Sequence, residues 1–168
     1  MTADYARNFA GRWGTAWNSR RADEVLALCA PNVAWDDPLT EEPERGAGAV
    51  RRYLESLWAA FPDMELAWVE APLCSVDGNR IACRWRMTAT MLGSLEPQGF
   101  APTGRSLNAE GIDVFELGED GLVQSYEGFF DARAMAQQLG LLPTTGSTAE
   151  RIAVTAQRIT ARVARRAG

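Results

Sequence analysis

Two aspartates stand at sequence positions where a strand would otherwise carry an apolar side chain. Asp113 shares alternate positions with the apolar residues between 107 and 117, and Asp37 shares them with Val33 and Trp35. Because successive side chains of a strand point to opposite faces, both carboxyl groups should face the interior. A buried carboxyl group must find a hydrogen-bond donor or keep its proton, which raises its pKa. Two such groups in one apolar site are typical of an acid and a base that share a reaction.

The other residue types exclude most alternative chemistry. The chain has no histidine, and all 17 of its basic residues are arginine. Histidine-activated nucleophiles, histidine-bound metals and lysine Schiff bases are therefore excluded, and arginine does not release its proton near neutral pH. Cys29, Cys74 and Cys83 lack the C-x-x-C spacing of a metal or redox site and are interpreted as small core residues. We therefore expect carboxylates to act as acids and bases, with no cofactor and no metal.

Each candidate residue also has a plain structural interpretation. In this interpretation Asp37 is a cap of the turn before Pro38 and has no catalytic role. Asp113 likewise serves only to accept a structural hydrogen bond from a backbone amide or an arginine. Tyr126 and Glu127, on the following strand, are further candidates for the catalytic set. Large side chains at apolar positions could bind a substrate, although each is individually more often a core residue. These candidates are Trp13, Trp17, Trp35, Tyr53, Trp58, Trp85, Met87 and Phe115.

The segments that must position these residues change from helical to strand periodicity along the chain. Turn signals at Asp77-Gly78 and at 118–121 separate the long strands. Helices are predicted at 4–17, 22–30, 47–61 and 131–139, and strands at 33–37, 64–71, 80–91, 105–117 and 122–130. Helices followed by an antiparallel meander predict an α+β fold, in which a curved antiparallel sheet wraps around the N-terminal helices and leaves an internal apolar pocket.

Several short motifs resemble those of the NTF2-like superfamily. The run Trp35-Asp36-Asp37-Pro38-Leu39-Thr40 and the strand Gly111-Ile112-Asp113-Val114-Phe115 resemble the corresponding segments of ketosteroid isomerases. The segments 61–63, 102–105 and 131–140 are similar to those of SnoaL-like polyketide cyclases and limonene epoxide hydrolases. The resemblance implies a cone-shaped NTF2-like fold, with Asp37 as the catalytic base and Asp113 as a neutral acid that binds an oxyanion. It also places Trp13 where ketosteroid isomerases carry a tyrosine donor, and it favours a homodimer.

The two aspartates are expected to differ in protonation. Asp113 lies on an otherwise apolar strand face, and the outward-facing Arg84 and Arg86 cannot easily pair with it, so desolvation should keep it neutral. Asp37 lies beside a charged loop near the pocket mouth and should stay solvated and ionised. The pocket itself is expected to be lined by Trp13, Trp35, Trp85 and Phe115.

These observations predict an enzyme of natural-product biosynthesis that cyclises or isomerises a hydrophobic polyketide- or terpenoid-like molecule by carboxylate acid–base catalysis. One alternative is an epoxide hydrolase or epoxide-opening cyclase of the limonene epoxide hydrolase type, in which Asp113 is the acid and Asp37 or Glu127 activates a nucleophile. The other is a non-catalytic small-molecule binding protein. The net charge of −5 argues against nucleic acid as a partner. Without a long apolar run or a signal peptide, we expect no membrane partner and a cytoplasmic location.

We expect the chain to be divided into an NTF2-like domain at 1–143 and a C-terminal helical extension at 144–168. A homodimer is expected to form through the outer face of the sheet, where Ile112 and Val114 lie among polar neighbours. One narrow apolar stripe of the extension is expected to pack against the domain or against a partner subunit. The stripe consists of Ile152, Ala156, Ile159 and Val163.

Overall fold

The computed structural model describes residues 2–40, 42–76 and 78–167, so that Asp77, in the first predicted turn, lies outside the described residues. The helices are α1 (Ala3–Asn18), α2 (Ala22–Leu26), α3 (Ala47–Ala60), α4 (Ala132–Gln138) and α5 (Thr148–Ala167). The strands are β1 (Cys29–Asp36), β2 (Glu44–Arg45), β3 (Glu65–Trp68), β4 (Leu73–Cys74), β5 (Arg80–Thr90), β6 (Ser106–Leu117) and β7 (Val123–Phe130).

The strands form one curved sheet in the order β2-β1-β7-β6-β5-β3, and β4 pairs with β5. The predicted α+β architecture is confirmed, but the expectation of a wholly antiparallel sheet is wrong at one pairing, because β1 runs parallel to β7. A parallel pair needs a long crossover connection, which α3 and the intervening strands supply. In this pairing Cys29 lies opposite Val123, so β1 begins within the segment predicted to be helical up to residue 30.

The two long central strands alternate between an apolar inner face and a charged outer face, as predicted. On the outer face Arg84 and Arg86 both donate to Glu110, with N–O distances of 2.9 and 2.6 Å. These exposed arginines therefore lie on the side of the sheet opposite Asp113. The inner face packs against α1, which buries Ala6, Phe9, Ala10, Trp13, Ala16 and Trp17.

Among its described side chains, the C-terminal helix α5 forms its ion pair with the rest of the chain near its start. The backbone amide of Glu150 donates to Ser147 Oγ at 3.1 Å, and its carboxylate pairs with Arg133 of α4 at 3.3 Å. Ile152 and Ile159 remain 65% and 57% exposed, so the expectation that they pack against the domain of the same chain is wrong. Their packing against a partner subunit stays a prediction. The side chain of Val163 lies outside those described. Among the described residues, no helix is both long and apolar enough to span a membrane.

Candidate active site

An apolar cavity of about 230 Å³ lies between the inner face of the sheet, α3 and α4. Trp85 and Met87 of β5, Leu57 of α3 and Met135 of α4 supply part of its apolar wall. Among the described residues that line it, none is basic. A ligand would therefore meet carbon over most of its surface and a small set of neutral or acidic polar groups. These polar side chains belong to Asp37, Tyr53, Gln98, Asp113 and Tyr126.

Asp113 is the most deeply buried carboxyl group of the cavity, with 1% of its surface exposed. Its Oδ1 accepts two hydrogen bonds, from Trp85 Nε1 at 2.6 Å and from the Tyr126 hydroxyl at 2.9 Å. Burial raises the pKa of Asp113 to about 7, against the lowering effect of the two donors, and the nearby Asp37 raises it further. Below neutral pH this carboxyl group is therefore largely protonated and can donate a hydrogen bond.

Strand register brings the two donors to Asp113. Trp85 of β5 lies opposite Gly111 of β6, and Tyr126 of β7 lies opposite Phe115. The indole ring crosses over Gly111, where an added Cβ would lie 2.3 Å from Trp85 Cζ2. Glycine at 111 thus leaves the space in which Trp85 can turn its N–H towards the neighbouring carboxyl group.

Asp37 follows the last residue of β1 and is also buried, with 6% of its surface exposed. Its Oδ1 accepts from the backbone N–H of Leu39 at 2.8 Å, and its Oδ2 accepts from the Tyr53 hydroxyl. Burial raises the pKa of Asp37, while the hydrogen bonds from Tyr53 and Leu39 lower it and the neighbouring Asp36 raises it.

The position of Asp37 corrects the expectation about its solvation and shows that its two alternative roles are compatible. The prediction that this carboxylate is well solvated is wrong, because α3 and the turn after β1 cover it. Turn capping and a role in the cavity, which were alternatives at the sequence level, coexist because the two carboxylate oxygens have different partners.

The two phenols of the cavity remain protonated over the ordinary pH range. Burial raises the pKa of both Tyr53 and Tyr126 well above its usual value, and the negative charges of Asp37 and Asp113 raise it further. Each hydroxyl therefore serves as a hydrogen-bond donor rather than as a base. The mutual effects of these four groups show that they form one electrostatic cluster.

Four of the aromatic residues predicted to bind substrate lie behind the cavity rather than in its wall. Trp13 packs edge-on against Phe115 with ring centroids 4.6 Å apart, and Trp35 stacks on Tyr126 at 3.9 Å. Trp58 makes an edge contact with Trp17 at 5.7 Å. The cavity wall includes Trp17, Tyr53, Trp85 and Met87, but not Trp13, Trp35, Trp58 or Phe115.

The structure corrects the assignments of Trp13 as a donor and Glu127 as a catalytic group. The Trp13 ring is fully buried, and its N–H makes no hydrogen bond within the described part of the chain. Glu127 lies opposite Val114 on the outer face of the sheet, because the side chains of β7 alternate and Tyr126 points inward. Neither side chain lines the cavity.

The two buried cysteines offer no competing nucleophile, whereas Cys74 is exposed, so its interpretation as a core residue is wrong. Burial raises the pKa of Cys29 and of Cys83 to about 12, so neither thiol ionises near neutral pH. Across residues 2–40, 42–76 and 78–167, the acidic and sulfur side chains form no group of three that could hold a metal ion.

Some residues that line the cavity were not identified from the sequence. Gln98 and Phe100, from the loop after β5, and Leu139, directly after α4, also line it. The apolar spacing of α4, with Met135 and Leu139 four positions apart, was the one available signal, since such a pair shares a helix face. No sequence pattern indicated that Tyr53 would donate to Asp37.

Comparisons with known proteins place the chain in a family. Residues 10–126, well over half of the chain, match the SnoaL-like domain family. The sequence matches none of the curated proteins. Solved structures with the same fold include AclR, a proposed hydroxylase from Streptomyces galilaeus, which is 19% identical, with 98% of each chain covered and a TM-score of 0.71.

Two other solved structures give the same result. A proposed SnoaL-like polyketide cyclase from Jannaschia sp. CCS1 is 17% identical, with 83% of this chain and 94% of that chain covered and a TM-score of 0.71. TsrD from Streptomyces laurentii is 20% identical, with 84% and 99% covered and a TM-score of 0.70. These identities support the fold alone, whereas the sequence match at 10–126 shows that the chain belongs to the SnoaL-like domain family.

Proposed function

We propose that the protein is a cofactor-independent cyclase or isomerase that moves protons on a hydrophobic polyketide- or terpenoid-like molecule. The observation that carries this proposal is the presence of two buried carboxyl groups with different partners in the wall of one apolar cavity. Membership of the SnoaL-like family and the likeness to a proposed polyketide cyclase support the same class of reaction.

Asp37 is the base in this mechanism. Its carboxylate removes a proton from a carbon next to a substrate carbonyl, and the electrons of the broken C–H bond move onto the carbonyl oxygen. In an isomerisation Asp37 returns the proton to another carbon. In a cyclisation the enolate carbon attacks a second carbonyl group, and the resulting alkoxide takes the proton from Asp37. Both sequences balance without an oxidant or a cofactor.

Asp113 stabilises the negative charge that develops on the carbonyl oxygen. Its Oδ1 is occupied by the donors Trp85 and Tyr126, which leaves Oδ2 to carry the proton that is donated to the substrate. Because the pKa of Asp113 is about 7, activity should fall as the pH rises through this value and the group loses its proton.

The epoxide-opening alternative loses one of its groups, because Glu127 lies outside the cavity. It would depend on Asp37 alone to activate the nucleophile. A binding protein without chemistry would use the same cavity, so it is separated from an enzyme by a test of turnover rather than of binding.

Deuterium uptake from heavy water into 2-tetralone, an apolar bicyclic ketone, tests the proposal without knowledge of the natural substrate. The wild-type protein should accelerate exchange beside the carbonyl, and Asp37→Asn should lower that rate by about 10²–10⁴-fold, because an amide cannot act as a base. Asp113→Asn keeps a donor and should lose less rate than Asp113→Leu. Tyr5→Phe, on the exposed face of α1, is the matched control. The proposal would be contradicted if Asp37→Asn catalysed exchange at the wild-type rate. It would also be contradicted if the wild type bound the ketone without accelerating exchange.

A further inference from the structure

We propose that Tyr53 is a positioning residue of this site, which holds the Asp37 carboxylate in one orientation and limits how strongly it retains a proton. The proposal rests on the proposed function in one respect, namely that Asp37 is the base. It assigns to Tyr53 a role beyond contact with substrate.

The geometry of the pair supports this role. Tyr53 lies within α3, whose Val50 and Leu54 are fully buried and fix the helix against the core. Its hydroxyl donates to Asp37 Oδ2, while the backbone N–H of Leu39 holds Oδ1 at 2.8 Å. Each oxygen of the carboxylate thus has its own donor, which prevents rotation of the group. A carboxylate oxygen accepts more than one hydrogen bond, so Oδ2 retains a lone pair for the proton of a substrate.

The surroundings of Asp37 make the donor from Tyr53 important. The titratable groups whose charges act on this pair are the exposed Asp36 of β1, Glu44 of β2, Asp113 of β6 and Tyr126 of β7. All of them are acidic or phenolic, and none of the described residues that line the cavity is basic. The ionised form of Asp37 therefore depends on neutral donors.

Among these donors the Tyr53 hydroxyl has the largest effect on Asp37. It lowers the pKa of this carboxyl group more than the backbone N–H of Leu39 does. The indole N–H of Trp35 has a smaller effect, because it makes no hydrogen bond within the described residues. A neutral phenol at this position has a chemical advantage over an arginine, because a full positive charge would hold the pKa low and leave Asp37 a weak base.

A hydrogen bond to a charged group contributes about 1.5–3 kcal/mol, which corresponds to about one to two pKa units. Tyr53→Phe keeps the ring and removes only this donor, so the pKa of Asp37 should rise by about that amount. A purely space-filling role would predict no change, because phenylalanine fills nearly the same volume.

Carbon-13 NMR of protein labelled at the aspartate carboxyl carbons tests the proposal directly. The Asp37 signal is assigned by its disappearance in Asp37→Asn, and its titration is compared in the wild type, Tyr53→Phe and the surface control Tyr5→Phe. Repeating the titrations in an Asp113→Asn background removes the coupling between the two carboxyl groups. Tyr53→Met serves as a second variant if Tyr53→Phe does not fold.

The expected result is a pKa of Asp37 that rises by about one to two units in Tyr53→Phe and is unchanged in Tyr5→Phe. In the 2-tetralone assay the acidic limb of the pH–rate profile should move upward by the same amount. An unchanged or lowered pKa of Asp37 in a folded Tyr53 variant would overturn the proposal. Because this titration requires no turnover, a failure of the proposed function, seen as absent exchange in the wild type, is a separate result.

Discussion

The hydroxyl of Tyr126 donates to Asp113 Oδ1 across 2.9 Å, from the strand that pairs with the strand of Asp113. Tyr53 makes the equivalent contact with Asp37 from a helix. Each carboxyl group of the cavity therefore has one tyrosine donor, but their other partners differ. Asp37 has a backbone amide at the end of a strand, whereas Asp113 has an indole and lies in the sheet interior. This difference supports a division of labour between a base and a neutral acid.

Stability should fall with rising pH because of Asp113. Its folded-state pKa of about 7 is above the ordinary 3.8 expected in the unfolded chain, so between these values only the folded chain keeps the proton. The contribution is fully present below the unfolded pKa and is lost as the pH rises through the folded one, at about 1.4 kcal/mol per pH unit. Urea unfolding of the wild type and Asp113→Asn at about pH 5 and pH 7 measures it. Equal pH dependence in the two proteins would contradict this assignment.

Gly111 should be required for the position of Trp85. In Gly111→Ala the added Cβ would lie 2.3 Å from the Trp85 ring and 2.6 Å from the Phe129 carbonyl oxygen, so the ring or the backbone must shift, and we expect the hydrogen bond from Trp85 to Asp113 to weaken. We expect a loss of about 1–3 kcal/mol in unfolding free energy, together with a lower exchange rate. Gly11→Ala is the matched control, since a Cβ there has no neighbour within 4 Å. A fully stable and active Gly111→Ala protein would show that the Trp85 contact is dispensable.

The cavity should discriminate against anions. Its described lining contains two carboxyl groups and no basic side chain, so an ionised ligand loses its water without gaining a positively charged partner and is repelled by the charge of Asp37. We expect 2-naphthol to bind more than about tenfold more tightly than 2-naphthoate at about pH 6, as measured by calorimetry. Equal or tighter binding of the carboxylate would indicate a cation that reaches the cavity.

We propose that the outer face of the sheet forms a homodimer interface. Ile112 and Phe129 lie opposite each other on β6 and β7 and are 44% and 53% exposed. In light scattering at micromolar concentration, the wild type should have the mass of a dimer and Ile112→Asp that of a monomer. Leu142→Asp, at a position with a similar exposure of 45%, is the control and should remain dimeric. A monomeric wild type would refute the interface.

The sequence was sufficient to predict the parts of the fold that depend on local periodicity. The alternation of β5 and β6 correctly turned Asp113 inward and Arg84 and Arg86 outward. The family motifs placed Asp37 in the same site. Which aromatic residue borders the cavity depends instead on long-range packing, since α1 carries both Trp13, behind the cavity, and Trp17, in its wall.

The hydrogen-bond partners of the two carboxyl groups could not be read from the sequence. Trp85 reaches Asp113 because of the register between β5 and β6 and the missing side chain at Gly111. Tyr53 reaches Asp37 because α3 packs across the end of β1, a contact between residues 16 positions apart. Neither relationship has a local sequence pattern, so both partners were identified only as residues of the pocket wall.

The central claim is that the two carboxyl groups hold different protonation states in one cavity. Carboxyl carbon-13 titration of the wild-type protein, with signals assigned by Asp37→Asn and Asp113→Asn, measures this directly. The account predicts that Asp113 titrates at about 7 and that Asp37 is already ionised at a lower pH. The account would be contradicted if Asp113 titrated near the ordinary 3.8. It would also be contradicted if Asp37 lost its proton at a higher pH than Asp113.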